Sequence, residues 1–488
     1  MADDVARAAM QRAVGSDADG GRRLALLCLV AIAARALSFG NPIVQVDEQF
    51  YFTVARAMWS GAVPYVDLWD RKPIGLFVVY MPAAALPGMA GILAYQAMAL
   101  AAVVATAWMV ARFADLAGWR HGAVYAAIAY ILWLNLLGGV GGQSPVLYNL
   151  PMAGAAWLAA RRSPTGRDRY RGLAAMALVG LALQIKYSVV FEGIFIGLWL
   201  LWTDWQRHRR AAPLVAYGSM LVAVALIPTA IAILVYAWIG ALDAFVFANF
   251  LAIFARKPNP FGEMMGNLAT LVLILSPLVA MGLAAWGRHR RGESGVRTFL
   301  LLWMLSSMFG VLVFGTWYEH YGLPVVLPAS VCAAAVLGAA RWRGRATPAI
   351  LLAAALAGQI KVGVERYKRG SPAQFARLAE AVGHGPGCLY VYSGHTMLYP
   401  ATGRCRPTAY IFPSFLIRPR ENGAMGVDQS AEVHRILAQR PAVIVISPPY
   451  RVETMDNRAF VERVARRDYW PPTMVRVGNG DVAVYHRR

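Results

Sequence analysis

Long apolar segments separated by short polar connections dominate the first three quarters of the chain. A helix needs about 20 predominantly apolar residues to cross the hydrocarbon core of a bilayer, and shorter segments are ambiguous. The pattern predicts a mostly α-helical, polytopic membrane protein. The apolar segments are residues 24–39, 74–91, 93–110, 122–137, 146–160, 172–185, 188–203, 212–236, 267–285, 298–314, 323–340 and 347–363.

The pattern changes near residue 370. Short apolar segments, Leu389–Tyr392 and Ala442–Ser447, are typical of buried strands and alternate with amphipathic helix candidates. Asn479-Gly480 is a favourable hairpin turn near the end of the chain. The sequence therefore predicts a transmembrane domain over residues 1–369 and a small, soluble α/β domain over residues 370–488.

The composition excludes a soluble protein, and it also affects how the positive net charge is interpreted. The chain has 488 residues, of which 58% are hydrophobic and 15% charged, whereas soluble domains are about one-quarter charged. Lys and Arg total 47 against 26 Asp and Glu, a net charge of +21. Basic residues of membrane proteins accumulate in cytoplasmic loops, so this charge indicates topology and contact with membrane lipids. We expect no nucleic-acid partner.

The distribution of basic residues decides whether residues 74–91 cross the membrane. If they do not, the N-terminal tail and five basic loops all lie in the cytoplasm, in agreement with the positive-inside rule. Pro82 and Pro87 also interrupt this segment, and proline removes a helix hydrogen bond. We predict a re-entrant or juxtamembrane segment, 11 crossings, a cytoplasmic N-terminus and a C-terminal domain outside. The basic loops are Arg112–Arg120, Arg161–Arg171, Arg207–Arg210, Arg288–Arg297 and Arg341–Arg345.

The first outer loop, residues 40–73, contains most of the candidate chemistry. Apolar and polar residues from Asp47 to Ser60 alternate as in an amphipathic helix lying at the membrane interface. Asp47 is placed to cap that helix. The alternative is a functional role for the Asp47-Glu48 pair, because carboxylates beside a membrane are costly unless they are used.

Few basic residues remain outside, so those few are informative. They suit an anionic lipid headgroup, although ordinary solvent exposure is the plainer interpretation for Arg256-Lys257. The aromatic cluster Trp317–Tyr321 fits either an interfacial belt or a binding site. The outer basic residues are Arg56, Arg71, Lys72, Lys186, Arg256 and Lys257.

The sequence gives less information about metal binding, phosphate-binding loops and disulfide bonds than about the first loop. The sequence has no HExxH and no cluster of Cys and His, so it offers no metal motif. Gly138–Gly142 lacks the Lys-Ser/Thr end of a phosphate-binding loop and is interpreted as a flexible outer turn. Cys388 and Cys405 both lie in the outer domain, where an oxidising compartment would allow them to pair. The sequence leaves that pairing open.

The first loop resembles that of the GT-C glycosyltransferases, especially the bacterial branch related to protein O-mannosyltransferases and the lipid A aminoarabinose transferase. An acid pair, a short helix and a Lys-Pro motif follow one another in that order. Tyr318-Glu319-His320-Tyr321 is similar to the tyrosine-proline outer loop of many members. The matching loop residues are Asp47, Glu48, Tyr51, Ala55, Gly61, Pro64, Tyr65, Asp67, Trp69, Arg71, Lys72 and Pro73.

The resemblance implies a sugar donor carried on polyprenyl phosphate in the bacterial inner membrane, with catalysis at the periplasmic face. It implies Asp47 as the general base of an inverting transfer to an acceptor hydroxyl, with Glu48 supporting it. The acceptor would be a glycan, a glycolipid or a protein, and no cofactor is required. Candidate phosphate-binding residues are Lys72, Arg71, Lys186, Arg256 and Lys257, and candidate substrate-binding residues are Tyr65, Asp67, Tyr318, Glu319 and His320.

Two departures from the family pattern leave alternatives open. Lys72-Pro73-Ile74 lacks a second proline, and residues 143–149 lack the carboxylate that many relatives carry after the third crossing. A second acid role therefore moves to Glu48, Asp67 or Glu319, or is absent, and a divalent ion remains an open question. A transporter or flippase for a lipid-linked sugar, or a non-enzymatic assembly factor, would also use many helices and a basic outer site.

Overall fold

The computed structural model describes residues 20–161, 167–286 and 295–488. The N-terminal tail and parts of two predicted basic loops, Arg161–Arg171 and Arg288–Arg297, lie outside these residues. Eleven main helices of the membrane domain follow the predicted apolar segments. They are α1 (20–35), α4 (Gly88–Leu116), α5 (Ala123–Leu136), α6 (Ser144–Ala160), α7 (Asp168–Leu183), α8 (Val190–His208), α9 (Ala211–Trp238), α11 (Phe261–Trp286), α12 (Gly295–Phe314), α13 (Leu323–Leu337) and α15 (Ala346–Arg369).

Seven helical segments of the described part are long and apolar enough to cross a membrane. They comprise α4, α8, α9, α11, α12, α13 and α15, some with a short helical extension. Helices α1, α5, α6 and α7 are shorter than these in the described residues. The polytopic membrane fold is thus confirmed, whereas the count of 11 crossings stays a prediction for the four shorter helices.

The described part of the membrane domain also contains five shorter helices. They are α2 (Val46–Met58), α3 (Ile74–Ala84), α10 (Leu242–Val246), α14 (Ala340–Arg343) and a π-helical turn at Phe247–Leu251 that continues α10. Helix α3 has 11 residues, about 17 Å at 1.5 Å per residue, too short for a core of roughly 30 Å. Arg56 donates to the carbonyl oxygens of Ala84 (2.6 Å), Ala85 (3.2 Å) and Leu86 (3.3 Å). It therefore completes the C-terminal end of α3, where unpaired carbonyl groups attract a cation.

Helix α2 is not an amphipathic helix at the membrane interface, contrary to the prediction. Its polar residues Glu48, Gln49 and Thr53 are as buried as its apolar ones. The C-terminal domain covers Gln49 and Thr53 on the polar face: the Thr53 hydroxyl donates to the carbonyl oxygen of Thr396 over 3.3 Å, and the His395 ring lies 3.3 Å from the Gln49 side-chain oxygen. The periodicity predicts the helix correctly, but the C-terminal domain lies over part of the face that the pattern assigns to solvent.

The C-terminal domain is a four-stranded mixed sheet with helices packed around it. The strand order is β1-β2-β4-β3, with β1 parallel to β2 and the other pairs antiparallel. This confirms the small α/β class. The elements are α16 (Pro372–Val382), β1 (Leu389–Ser393), α17 (Leu398–Thr402), α18 (Pro413–Ile417), α19 (Gln429–Ala438), β2 (Val443–Ile446), α20 (Met455–Asp468), β3 (Thr473–Val477) and β4 (Gly480–His486).

Local sequence explains how this domain is built. Strands β1 and β2 are buried at every position, as their uninterrupted apolar sequences predict. Cys388 and Cys405 form a disulfide, which answers the question that the sequence left open. Gly370, with φ of 111°, separates α15 from α16, a backbone conformation that favours glycine.

Candidate active site

Asp47 lies in the first turn of α2, at the junction between the two domains. The residue at the N-cap position is Gln45, and no side chain caps the helix, so the predicted capping role of Asp47 is wrong. Instead, the Gln143 amide donates a hydrogen bond of 3.0 Å to the Asp47 carboxylate. Gln143 is the N-cap residue of α6. The Gln143 side chain thus holds the Asp47 carboxylate in place.

A cavity of about 440 Å³ opens beside Asp47. Its lining combines the 70–73 segment, the start of α6, residues 186–192, the α10 region, α12, residues 318–324 and residues 412–421 of the C-terminal domain. Six of the predicted phosphate- and substrate-binding residues line it together with Asp47. They are Lys72, Arg71, Lys186, Arg256, Tyr318 and His320.

Lys72 and Lys186, here called the open pair, make no ion pair with a carboxylate in the described part of the chain. Their ammonium groups lie instead over aromatic rings: Lys72 is 5.6 Å from the centre of the Tyr51 ring, and Lys186 is 4.8 Å from that of Tyr321. Such contacts stabilise a cation by attraction to the ring face without neutralising its charge. The open pair is therefore available to an anion that enters the cavity.

The charges around the cavity shift the pKa values of these groups. Burial and the neighbouring Lys72 lower the pKa of Lys186 to about 7, which Asp47 only partly offsets. Burial also lowers the pKa of Lys72, but Asp70 and Asp47 outweigh it, so that the net shift is upward. Burial alone would raise the pKa of Asp47, whereas Lys72 and other polar neighbours bring it below its ordinary value. Asp47 is therefore an ionised carboxylate at neutral pH.

Arg71 and Arg256, here called the bridged pair, share one carboxylate of the C-terminal domain. Glu421 lies 2.8 Å from the Arg71 guanidinium and 2.5 Å from that of Arg256. Arg71 also lies 4.6 Å from the centre of the Trp69 ring and donates to the Ala424 carbonyl. Both arginines line the cavity as predicted, but their charge already holds the two domains together.

Tyr318 lies at a second contact between the domains. Its hydroxyl accepts hydrogen bonds from Arg418 (2.6 Å), Arg420 (3.0 Å) and Asn259 (2.9 Å). The neighbouring His320 ring packs against Tyr321, with ring centres 4.8 Å apart. The aromatic cluster of the sequence therefore lines a cavity and is not only an interfacial belt.

Five predicted site residues lie outside the cavity lining, and each has a different role. Tyr65 donates a 2.7 Å hydrogen bond to the Lys72 carbonyl and so fixes the backbone of that residue. Asp67 accepts from the Val63 amide in an exposed turn. Glu319 forms an ion pair with Lys361 of α15, and the Lys257 side chain is exposed to solvent.

Glu48 is the fifth, and it is fully buried behind the cavity, against the glycine-rich segment. A Cβ atom on Gly141 would come within 2.2 Å of the Glu48 carboxylate. This segment is therefore a close-packed contact, and its prediction as a flexible turn is wrong. Burial raises the pKa of Glu48 to about 8, so its carboxyl group is protonated at neutral pH.

Several cavity residues were not predicted from the sequence. Asp70 lies beside Lys72, and burial raises the pKa of its carboxyl despite that neighbour. Glu192 in α8 could have been found because an ionisable residue within a membrane segment is costly and usually functional. Arg418 and Glu421 of the C-terminal domain also line the cavity, but nothing in the sequence around them indicates a position at the site. The unpredicted polar residues of the lining include Gln143, Ser144, Ser188, Glu192, Asn249, Ser307, Arg418 and Glu421.

Metal ligands are not grouped in the part of the chain that the structure describes. No three His, Cys, Asp or Glu side chains of these residues lie together as candidate ligands. We therefore assign no metal-binding residue.

The arrangement of the helices and of the small sheet domain is the GT-C membrane-protein fold, which the first-loop resemblance predicted. ArnT from Cupriavidus metallidurans, in a crystal structure bound to undecaprenyl phosphate, superposes with a TM-score of 0.66. The match covers 94% of this chain and 97% of that one at 14% identity. Its apo structure gives a TM-score of 0.64 at the same identity and coverage.

A second group of solved structures is more distant. The oligosaccharyltransferase AglB from Archaeoglobus fulgidus, in complex with an inhibitory peptide and a dolichol-phosphate, gives a TM-score of 0.52 at 13% identity. That match covers 87% of this chain and 69% of AglB. No family model matches the sequence, and no curated protein matches it. The likeness is thus one of fold.

Proposed function

We propose that the protein is a membrane glycosyltransferase that transfers a sugar from a polyprenyl-phosphate-linked donor to an acceptor hydroxyl. The observation that carries the proposal is one cavity lined both by an ionised Asp47 and by the open pair, Lys72 and Lys186, which have no ion-pair partner among the described residues. A base and an anion site side by side are what transfer from a lipid phosphate requires. The solved structures with this fold add support, since ArnT was crystallised with undecaprenyl phosphate.

In the proposed reaction, the configuration at the anomeric carbon of the sugar is inverted. The acceptor oxygen attacks the anomeric carbon while Asp47 accepts its proton. The bond from that carbon to the phosphate oxygen breaks, and the electron pair leaves with the phosphate. Lys72 and Lys186 stabilise the charge that develops on the leaving oxygen, because cations fixed in a dry cavity interact strongly with it. Attack from the side opposite the phosphate inverts the anomeric centre.

The orientation follows from the distribution of basic residues. Basic loops at the opposite ends of the crossings would lie in the cytoplasm. The cavity, the first loop and the C-terminal domain then lie on the periplasmic face of a bacterial inner membrane. A polyprenyl chain would remain in the bilayer with its phosphate at this surface. The acceptor would be a glycan, a glycolipid or a protein reached from the periplasm.

The test is Asp47→Asn in purified, detergent-solubilised protein. We expect release of undecaprenyl phosphate from a sugar-bearing donor to fall roughly 10²- to 10⁴-fold, the usual contribution of a general base. Binding of free undecaprenyl phosphate should persist. Asp481→Asn, in an exposed ion pair with Arg476 on the hairpin, is the matched control and should retain turnover.

Two outcomes would reject the proposal. Wild-type turnover in Asp47→Asn would exclude Asp47 as the base. Movement of intact sugar-linked lipid across reconstituted vesicles, without any release of undecaprenyl phosphate, would identify a transporter or flippase instead.

A further inference from the structure

Glu192 is a carboxylate at the cavity that the proposed transfer does not use. It lies in the first turn of α8 and is 3% exposed, yet it lines the cavity together with Ser188 and Ser307. A carboxylate within a membrane segment is expensive to maintain and usually marks a binding or transport function. Its position therefore calls for a ligand or a structural partner.

Glu192 has a structural partner, Trp303, but this partner contacts only one of the two carboxyl oxygens. The indole N–H of the fully buried Trp303 in α12 donates a 2.7 Å hydrogen bond to Oε1 of Glu192. Oε2 makes no hydrogen bond within the described residues, and it is not among the side-chain atoms that are both buried and unpaired. Trp303 thus fixes the carboxylate while its second oxygen remains accessible from the cavity.

The chain connects Glu192 to the phosphate site. Lys186 precedes a 3-10 turn, Tyr187–Val189, which leads directly into α8. Glu192 is six residues after Lys186, and a 3-10 turn followed by one α-helical turn rises by about 10 Å over that stretch. Helices α8 and α12 also pack closely, since a Cβ atom on Gly310 would lie 3.1 Å from Phe191. Glu192 is therefore held rigidly within reach of a group attached to a phosphate at Lys186.

We infer that Glu192 binds the sugar of the donor by accepting a hydrogen bond from one of its hydroxyl or ammonium groups. This inference rests on the proposed function for the identity of the ligand, because the transferred sugar is the group bonded directly to the phosphate. A hydrogen bond formed in a water-poor site is stronger than the same bond in water. Glu192 then selects among sugars and takes no part in breaking the bond.

Glu192→Gln tests this assignment with little change in shape. Trp303 can donate only to the amide oxygen, so the amide NH₂ must replace Oε2 and face the cavity. The cavity thereby gains a donor where it had an acceptor. Binding is measured in detergent with three probes: free undecaprenyl phosphate, the same lipid carrying a neutral hexose, and the same lipid carrying an amino sugar.

We expect Glu192→Gln to bind free undecaprenyl phosphate as the wild type does and to bind a sugar-bearing lipid roughly 10-fold or more weakly. Weakening of both sugar lipids identifies a hydroxyl group, and selective weakening of the amino sugar identifies an ammonium group. Unchanged binding of all three lipids overturns the inference. Equal weakening of all three also overturns it, because Glu192 would then act on the lipid site or the fold.

Two further variants keep the test decisive. Asp204→Asn removes a carboxylate at the other end of α8, outside the cavity lining, and should leave sugar binding unchanged. Trp303→Phe keeps the carboxylate but removes the bond that orients it, so it should reduce discrimination among sugars even if Glu192→Gln fails to fold. Because these readouts measure binding, they remain interpretable if no transfer activity is found.

Discussion

The open pair, Lys72 and Lys186, and the bridged pair, Arg71 and Arg256, line the same cavity with the same formal charge. The sequence offers all four as phosphate ligands. In the structure, Glu421 of the C-terminal domain contacts both arginines, while the lysines contact aromatic rings. A buried charge with a partner contributes to the assembly of the fold, and one without a partner is available for a ligand. Basic charge alone therefore does not define a substrate site.

The largest expected effect comes from breaking the bridged pair. Glu421→Gln removes the carboxylate between Arg71 and Arg256 and leaves two charges uncompensated, which costs about 3–5 kcal/mol when such a pair is buried. We expect a lower melting temperature and faster proteolysis of the C-terminal domain in detergent. Asp481→Asn, which breaks an exposed pair, should change stability by less than about 1 kcal/mol. Equal stability of the two variants would contradict the bridging role.

Substitutions in the open pair should change lipid binding more than they change stability. Lys72→Met removes a charge-assisted contact of about 1.5–3 kcal/mol, so we expect the Kd for undecaprenyl phosphate to rise about 10- to 150-fold. Binding can be measured by titration of the detergent-solubilised protein. Because Lys72 also lies near the buried Asp47 and Asp70, the melting temperature should fall, but less than in Glu421→Gln. A loss of stability without a loss of binding would place Lys72 with the bridged pair.

Lys186 should make binding depend on pH. Its pKa of about 7 means that its ammonium form is complete well below pH 7 and is lost as the pH rises through that value. Affinity for a sugar-phosphate lipid, whose phosphodiester keeps a constant charge, should fall by at most tenfold per pH unit above 7, because one proton is linked to binding. Lys186→Arg, which stays charged, should flatten the profile. A pH-independent wild type would exclude this role.

The smallest effect is expected at Lys257. Its side chain is exposed and lies outside the cavity lining, although it is adjacent in sequence to Arg256. Lys257→Met should leave both the Kd for undecaprenyl phosphate and the melting temperature within about 0.5 kcal/mol of the wild type. A clear loss of lipid binding would extend the anion site beyond the cavity.

Helices and strands were predictable because their signals are local. The apolar segment at residues 212–236 corresponds to Ala211–Trp238, and that at Leu389–Tyr392 corresponds to Leu389–Ser393. Hydrophobic periodicity reports which faces avoid water. It failed for α2, because the sequence does not say that another domain covers the polar face. Glu48 and Asp47 are adjacent in the sequence, yet only Asp47 reaches the cavity.

The sequence by itself determined the membrane fold, the small α/β C-terminal domain and a first loop bearing Asp47 and Lys72. Those features depend on hydropathy, on charge distribution and on residues that are close along the chain. Only the tertiary structure decided which charges are neutralised. Glu421 lies 350 residues from Arg71 and 165 from Arg256 in the chain, and the Trp303–Glu192 bond joins residues 111 apart. These ion pairs and this hydrogen bond depend on packing between elements that are distant in the chain. Such packing produces no local sequence pattern from which the pairs could be predicted.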